Sequence, residues 1–211
     1  MLKFNLRMGI GAPASPIVKD GDEVKRGQKI ADFDPEQLSV PIYSSVNGKV
    51  KEVTDEAIYI EKTDDNKEYL KIDKKDNLAD VAREAGIIGL GGAGFPTYVK
   101  LNTDLKGEGY LLINASECEP ILEHNITQIR ENPQKFIDAV KLVKENINAK
   151  MAFIAMKIIH TEEIKALTKL LKENNITDIR VFPLKNMYPV GEERAIIRDV
   201  LNQLLSVTDL P

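Results

Sequence analysis

A glycine-rich stretch followed by a lysine is the part of the sequence best suited to hold a ligand. Five of the nine residues from Gly86 to Gly94 are glycine, Pro96 follows, and Lys100 comes one turn later. Glycine reaches positive φ but loses the most backbone entropy on ordering, so the stretch is predicted to be a loop. Pro96 suits the first turn of a helix. Backbone N–H groups, a helix N-terminus and a cation together indicate a phosphate-binding loop.

Two common phosphate-binding motifs fit these glycines only in part. Gly89, Gly91 and Gly94 have the spacing of the dinucleotide fingerprint, but that fingerprint follows a strand, and here a predicted helix ends at Gly86. The sequence also lacks the Gly-Lys-Ser/Thr ending of a Walker loop. From the residues alone, a site for a phosphate-bearing ligand is favoured over a structural turn, and both interpretations stay open.

Composition argues against several classes of protein. The 211 residues carry 29 basic and 33 acidic side chains, a net charge of −4, which disfavours a general nucleic-acid or anionic-membrane surface. No apolar run approaches the roughly 20 residues that span a bilayer, and the start does not resemble a signal peptide. The single cysteine, Cys118, cannot form an internal disulfide or hold a metal cluster by itself. We therefore expect a cytoplasmic protein without a transmembrane segment.

Residues 1–73 are predicted to form a small all-β domain. Short apolar runs alternate with turns, and Asn47-Gly48 is a strong signal for a tight turn. The patterns at 21–31 and 45–50 resemble the biotinyl/lipoyl-type barrel-sandwich domain. Carrier members of that family hold a modified lysine on a hairpin, and the matching position here is Gln37, which cannot form the carrier amide. The resemblance implies a barrel-sandwich domain without a carrier lysine, with a structural or docking role.

Residues 74–211 are predicted to form a Rossmann-like α/β domain, which makes the whole chain α/β in class, or α+β overall. A helix capped by Asn77 precedes the glycines, and strands then alternate with helices, which indicates a mostly parallel sheet. The first strand is an apolar run and is expected to be buried on both faces. Strands are predicted at 110–114, 150–156 and 179–183, and helices at 121–130, from 133, at 161–171 and at 191–205.

The carboxyl ends of the predicted parallel strands are the expected binding edge, because ligands of such sheets bind there. Polar segments follow two of the strands, at 114–120 and 186–193. We expect both segments to lie beside the glycine stretch and to form one site with it.

Three segments in this order resemble the flavin/NADH subunit family. They are 89–97, 114–120 and 188–193, and the family includes the C subunit of Rnf electron-transport complexes and the flavoprotein subunit of respiratory complex I. The beginning, 7–14, is most similar to the Rnf C-like soluble branch, with proline-reductase electron-transfer proteins and cobalamin reductases. The resemblance covers nearly all of the chain.

The resemblance implies FMN and NAD(H) as cofactors. NADH would give two electrons as hydride to FMN, which would pass them on singly to an iron–sulphur or reductase partner. No metal ligand and no certain catalytic residue is implied, although Glu193 would lie near the hydride-transfer site. The implied FMN residues are Gly89, Gly91, Gly92, Gly94, Lys100, Asn114, Glu117, Tyr188, Gly191 and Glu192, and the implied NADH residues are Phe95, Glu119 and Glu193.

The sequence also departs from the family pattern. Leu90 stands where complex I members carry arginine, and the sequence ends at Pro211 where family members continue. We expect either a fragment or a short form, with iron–sulphur clusters only if the protein continues beyond residue 211. The second hypothesis is a non-catalytic docking or scaffold module with a degenerate nucleotide site. Under either hypothesis the expected partners are proteins and NADH, with no nucleic acid, and a position peripheral to a membrane complex is compatible with the absence of a transmembrane segment.

Some candidate residues also have structural interpretations. Lys100 could be a solvated helix lysine, and Glu192 and Glu193 could simply favour a helix N-terminus. Cys118 is expected to be buried or near the site rather than a nucleophile. His124 and His160, the two histidines, are expected to be structural or exposed.

Overall fold

The computed structural model describes residues 1–90, 93–117, 119, 121–206 and 208. The chain divides into two compact units, Met1–Thr103 and Asp104–Pro211. The predicted domain boundary between residues 73 and 74 remains a prediction. The first unit contains β1 (Leu2–Asn5), β2 (Ser15–Pro16), β3 (Glu23–Val24), β4 (Lys29–Asp32), β5 (Ile42–Tyr43), β6 (Gly48–Val53), β7 (Ala57–Lys62), α1 (Leu78–Glu84) and α2 (Thr97–Leu101).

Two antiparallel sheets make up most of the first unit. One has the strand order β1-β7-β6-β3 and the other β2-β4-β5. Both contribute to one apolar core, because Ile30 of β4 packs in the same cluster as Val50 of β6 and Ile60 of β7, all fully buried. Buried and exposed residues alternate along β6 from Gly48 to Lys51, as expected of a strand with one face on a core. The predicted barrel-sandwich fold is confirmed.

An extended segment leads from β7 to the first helix and packs on a turn of the barrel. The Leu70 N–H donates to the Arg26 carbonyl at 2.9 Å. A Cβ on Gly27 would lie only 2.3 Å from the Leu70 carbonyl oxygen, so only glycine fits there. Asn77 caps α1 as predicted, since its side chain accepts the Asp80 N–H at 2.8 Å.

The second unit is a parallel sheet with helices, as the alternating pattern predicts. Its strand order is β10-β9-β8, and both strand pairs are parallel. The central strand carries the fully buried Ile154 and Met156, which pack with Leu167 and Ile126 of the helices. The elements are β8 (Tyr110–Asn114), α3 (His124–Glu131), α4 (Pro133–Asn146), β9 (Met151–Lys157), α5 (Thr161–Glu173), β10 (Ile179–Leu184) and α6 (Glu193–Leu201).

Three details of this unit differ from the sequence-based predictions. Strand β8 is only partly buried, because it lies at the edge of the described sheet rather than inside it. Helix α3 begins at His124 and not at 121, since Ile121 adopts a positive φ of 72°. Helix α6 ends at Leu201 and not at 205, since Asn202 takes the left-handed conformation.

Candidate functional site

The two ends of the glycine stretch pair with each other in the first unit, and the residues between them are here called the glycine loop. Ile88 and Pro96 make an antiparallel bridge, and the Gly89 N–H donates to the Phe95 carbonyl at 2.9 Å. Leu90 lies within the loop and is fully exposed. The base of the loop is thus fixed by backbone hydrogen bonds, while the Leu90 side chain is in solvent.

Helix α1 ends at Glu84 with Ala85 as its C-cap, and Gly86, the predicted stop, is the residue that follows the cap. Gly86 has φ 64°, and its N–H donates to the Arg83 carbonyl while the Ile87 N–H donates to the Ala82 carbonyl, each at 3.0 Å. This pair of bonds is the Schellman motif, which satisfies the last carbonyls of a helix. A Cβ on Gly86 would lie 2.6 Å from the Pro41 carbonyl oxygen, so the loop starts at a position where only glycine fits.

The N-terminal segment contacts the other end of the loop. The Ile10 N–H donates to the Ala93 carbonyl at 2.6 Å. Gly94 has φ 63°, and a Cβ on Gly9 would lie 2.3 Å from the Gly94 carbonyl oxygen. The two backbones therefore touch directly, with no room for a side chain between them.

The short helix after the loop brings two predicted site residues together. The Lys100 Nζ lies 5.8 Å from the centroid of the Phe95 ring, within cation–π distance. Pro96 is the N-cap of α2, one position before the predicted first turn, and α2 has only five residues. So few aligned peptide dipoles add little positive charge at the N-terminus. The expected contribution of a helix dipole to this loop is therefore not supported.

A charged network joins α1 to the barrel. The Glu84 carboxylate accepts hydrogen bonds from Lys29 at 3.1 Å and from the Tyr43 hydroxyl at 3.0 Å, and the same hydroxyl also donates to the Glu84 carbonyl. Burial would raise the pKa of Glu84, but the Lys29 and Tyr43 hydrogen bonds outweigh it and hold that pKa below its ordinary value. Burial itself, with the Glu84 charge, raises the pKa of Tyr43. The helix that leads into the glycine loop is thus tied to β4 and β5.

Asn114 joins two strand-end segments of the second unit. Its Nδ2 donates to the Gly191 carbonyl at 2.9 Å. Its Oδ1 accepts from the Ser116 N–H at 3.1 Å and from the Ser116 hydroxyl at 2.8 Å, which makes an Asx turn. The structure therefore brings together two of the predicted FMN residues, Asn114 after β8 and Gly191 before α6.

Glu117 is a buried carboxylate with one unsatisfied oxygen. Its side chain is 6% exposed, and Oε1 accepts the Asn125 N–H at 2.6 Å and lies 3.3 Å from the His124 Nδ1. In the part of the chain that the structure describes, Oε2 is buried and has no hydrogen-bond partner. An unpaired buried oxygen costs free energy. A ligand hydroxyl or N–H that reached Oε2 would recover that cost.

The third predicted motif forms the turn before α6. Glu192 is the N-cap, and its carboxylate accepts the Ala195 N–H at 2.8 Å, so it favours the helix N-terminus as the structural interpretation expects, while its contact with FMN stays a prediction. Glu193 lies in the first turn of the helix. Tyr188 is exposed and precedes a cis peptide bond to Pro189.

The structure shows less about the remaining predicted residues. Glu119 is exposed. The N-cap of α5 is His160, which makes no side-chain capping bond. Four residues of the predicted motifs lie outside the described residues, namely Gly91, Gly92, Cys118 and Pro120.

The predicted site residues thus fall into two groups. Gly89, Gly94 and Phe95 belong to the loop of the first unit, and Lys100 lies beside it in α2. The residues at the strand ends belong to the second unit, which is described by itself. A composite site made of both groups remains a prediction.

Sequence reasoning missed three residues that shape these groups. Ser116 could have been found, because Asn followed two residues later by Ser is typical of an Asx turn. Gly9 stands in a Gly-x-Gly pair, a spacing that suggests close backbone approach. For Glu84, nothing in the local sequence indicates that Lys29 and Tyr43 would surround it.

Two further structural findings bear on function. Among the residues described above, no group of three or more His, Cys, Asp or Glu side chains could hold a metal ion. The helices of that same part of the chain are all too short or too polar to cross a membrane.

Comparison with known families gives two matches in chain order. Residues 1–75 match the family described as the RnfC barrel sandwich hybrid domain. Residues 82–211 match the family described as the Nuo51 FMN-binding domain.

Individual relatives carry related names. The C subunit of the proton-translocating ferredoxin:NAD(+) oxidoreductase complex of Clostridium ljungdahlii is 34% identical, over 98% of this chain and 48% of that protein. The C subunit of the Na(+)-translocating ferredoxin:NAD(+) oxidoreductase complex of Acetobacterium woodii is 31% identical, over 100% of this chain and 51% of that protein. The chain thus spans about half the length of these relatives.

Proposed function

Since the chain belongs to the Nuo51 FMN-binding domain family, we propose that it is an FMN-dependent, NADH-oxidising electron-transfer protein. The observation that carries the proposal is the strand-end edge of the second unit. There Asn114 is bonded to Gly191, and Glu117 holds a buried oxygen without a described partner. A flavin with its ribityl chain offers the hydroxyl and N–H donors that such acceptors require.

The first unit would hold the phosphate of FMN. The Gly89 N–H is bonded to Phe95, so the residues after Gly89 would supply the backbone N–H groups, and Lys100 would supply a positive charge. Lys100 lies against Phe95, so a substrate ring that stacks on Phe95 would also lie near this charge. Leu90 adds no charge, which leaves the backbone and Lys100 as the phosphate ligands.

The second unit would hold the flavin ring and the ribityl chain. Asn114, Glu117 and the turn at Tyr188, Gly191 and Glu192 are the proposed contacts. Bound FMN would supply the hydride chemistry and release electrons one at a time, while the protein positions both partners. NADH would contact Phe95, Glu119 and Glu193. The carboxylates of the two glutamates can accept hydrogen bonds from ribose hydroxyls.

The proposed electron acceptor is an iron–sulphur or reductase protein. Relatives named as subunits of ferredoxin:NAD(+) oxidoreductase complexes support a role as a peripheral, cytoplasmic subunit of such a complex. If the natural protein extends further, iron–sulphur clusters in that extension would be the first acceptors. Purification of the native complex would identify the acceptor.

The test is to mix the purified protein with FMN, remove free flavin by gel filtration, and record the visible spectrum. NADH is then added without oxygen, and we expect retained flavin whose colour is bleached. Lys100→Ala should weaken retention, whereas Lys165→Ala, a surface lysine of α5 paired with Glu162, should not. If no flavin is retained and none is bleached, the proposal is refuted.

A docking or scaffold module is the second candidate function. The capping role of Glu192 and the uncharged, exposed Leu90 favour it, since neither requires a ligand. It predicts stable association with a partner protein that Lys100→Ala and Glu192→Gln leave unchanged. Loss of NADH-dependent electron transfer in those variants would argue for the flavoprotein instead.

A further inference from the structure

We infer that residues 9–12, here called the positioning segment, hold the C-terminal end of the glycine loop, at Ala93 and Gly94, in place for phosphate binding. The inference rests on the proposed function and assigns a task to the barrel-sandwich fold, which has no carrier lysine. Its basis is a continuous set of backbone contacts within the first unit. Residues 33–40 lie between the antiparallel strands β4 and β5 and are here called the hairpin. The contacts run from this hairpin, through the positioning segment, to the glycine loop.

The positioning segment contacts the glycine loop so closely that no side chain fits between their backbones. A Cβ on Gly9 would lie 2.3 Å from the Gly94 carbonyl oxygen and 2.9 Å from the Ala93 carbonyl oxygen. A Cβ on Gly94 would in turn lie 2.9 Å from the Gly9 Cα. The Ile10 N–H donates to Ala93, as described above, so the segment both packs on the loop and bonds to it.

The contact with the hairpin is equally close. Gly11 has φ 110°, and a Cβ there would lie 2.0 Å from the Leu38 carbonyl oxygen. The Ala12 N–H donates to that same carbonyl at 2.9 Å. The hydroxyl of the buried Ser39 donates to the Ala12 carbonyl at 2.8 Å. The segment is therefore held by the barrel on one side while it contacts the loop on the other.

A loop this rich in glycine needs such support. Unsupported, it would sample many conformations, and ligand binding would have to supply the ordering entropy. A loop that is already ordered binds more tightly because that cost is met during folding. Residues 9–12 and the network around Glu84 hold the loop from both of its ends.

The main variant is Gly9→Ala. The φ of Gly9 lies outside the left-handed region, so the added methyl acts by steric displacement, and it needs about 1 Å more space than the contact with Gly94 provides. We expect FMN affinity to fall at least about tenfold. The control is Gly21→Ala, because Gly21 has φ 90° and nothing within 4 Å of its Cβ position. The Gly21→Ala protein should be less stable than the unmodified protein but should bind FMN with the same affinity.

A second variant and its control each remove a single hydrogen bond, so they test the positioning segment with less risk that the protein fails to fold. Ser39→Ala removes the bond to Ala12, and Ser44→Ala removes the bond that another buried hydroxyl donates to Val46 at 2.7 Å. We expect Ser39→Ala to weaken FMN binding a few-fold and to change the fluorescence of the bound flavin. Ser44→Ala should match the unmodified protein in both measurements.

Hydrogen exchange of the FMN-free protein separates this inference from the proposed function. Peptides covering 86–97 should exchange faster in Gly9→Ala and in Ser39→Ala than in either control. If exchange in 86–97 is the same in all four variants, the inference is overturned, whether or not FMN binds. If exchange rises as expected but the unmodified protein retains no FMN, the positioning role stands and the proposed function fails.

Discussion

The hydrogen bond between Asn114 and Gly191 should be required for tight FMN binding. Asn114→Asp is the sharpest perturbation, because aspartate still accepts both bonds from Ser116 but cannot donate to the Gly191 carbonyl at 2.9 Å. The substitution therefore cuts the connection between the two strand-end segments and leaves the Asx turn in place. It also brings a negative oxygen towards a carbonyl oxygen.

The expected loss of FMN binding free energy follows from the one hydrogen bond that is removed and from its exposure to solvent. One neutral hydrogen bond contributes about 0.5–1.5 kcal/mol, and Asn114 is exposed, so we assign about 1 kcal/mol to the lost bond. Repulsion between the two oxygens brings the total to about 1–2 kcal/mol. If the turn at Gly191 must be ordered before flavin binds, FMN affinity falls by a factor of roughly 5–30.

Fluorescence titration with FMN measures this loss, and urea unfolding measures stability in parallel. The matched control is Asn174→Asp, because the Asn174 Nδ2 also donates to a backbone carbonyl, that of Leu170, at 2.9 Å. It should lower stability without changing FMN affinity. Asn114→Ala, which also loses the Ser116 bonds, should bind FMN no better than Asn114→Asp. Unchanged affinity in Asn114→Asp would refute the reasoning.

Three further predictions concern stability and are measured by chemical unfolding. Glu84→Gln should cost about 1–2 kcal/mol at neutral pH, since Lys29 and Tyr43 lose a charged partner that is one-fifth exposed. The pKa of Glu84 is lowered on folding, so its contribution is present above its ordinary value of 4.5 and is lost as pH falls through the folded value; a pH-independent difference would contradict this. Glu192→Ala should cost about 1 kcal/mol and Glu192→Asp much less, because aspartate also caps helices; equal losses would exclude capping. Leu167→Ala should cost about 2–5 kcal/mol through a cavity at a fully buried position, and a loss below about 1 kcal/mol would mean that the core collapses around it.

Local signals in the sequence were enough to predict much of the fold. The N-cap at Asn77 and the helix stop at Gly86 depend on a few neighbouring residues, and both are confirmed. The parallel order of the second unit follows from alternating strands and helices, and it placed Asn114 and Gly191 at one edge. Such features are predictable because their causes lie within one element or one repeat of the chain.

Features that depend on tertiary contacts could not be predicted in the same way. The partial exposure of β8 reflects its position at the edge of the described sheet, which its apolar residues do not reveal. The contact of Gly9 with Gly94 joins residues far apart in sequence, and neither glycine indicates its partner. The unpaired oxygen of Glu117 depends on the tertiary contact of this carboxylate with the start of α3, where its other oxygen accepts the Asn125 N–H.

The hairpin at 33–40 shows why the barrel-sandwich fold need not imply carrier chemistry here. Gln37 is exposed, and its N–H donates to the Asp34 carbonyl at 2.9 Å, so the turn itself resembles one that could present a modified side chain. Next to this turn, the Leu38 carbonyl accepts the Ala12 N–H and the Ser39 hydroxyl donates to the Ala12 carbonyl. These bonds connect the residues after Gln37 to the positioning segment. They are the bonds that would let the barrel support the glycine loop, so the same fold can serve a use other than carrying a modified lysine.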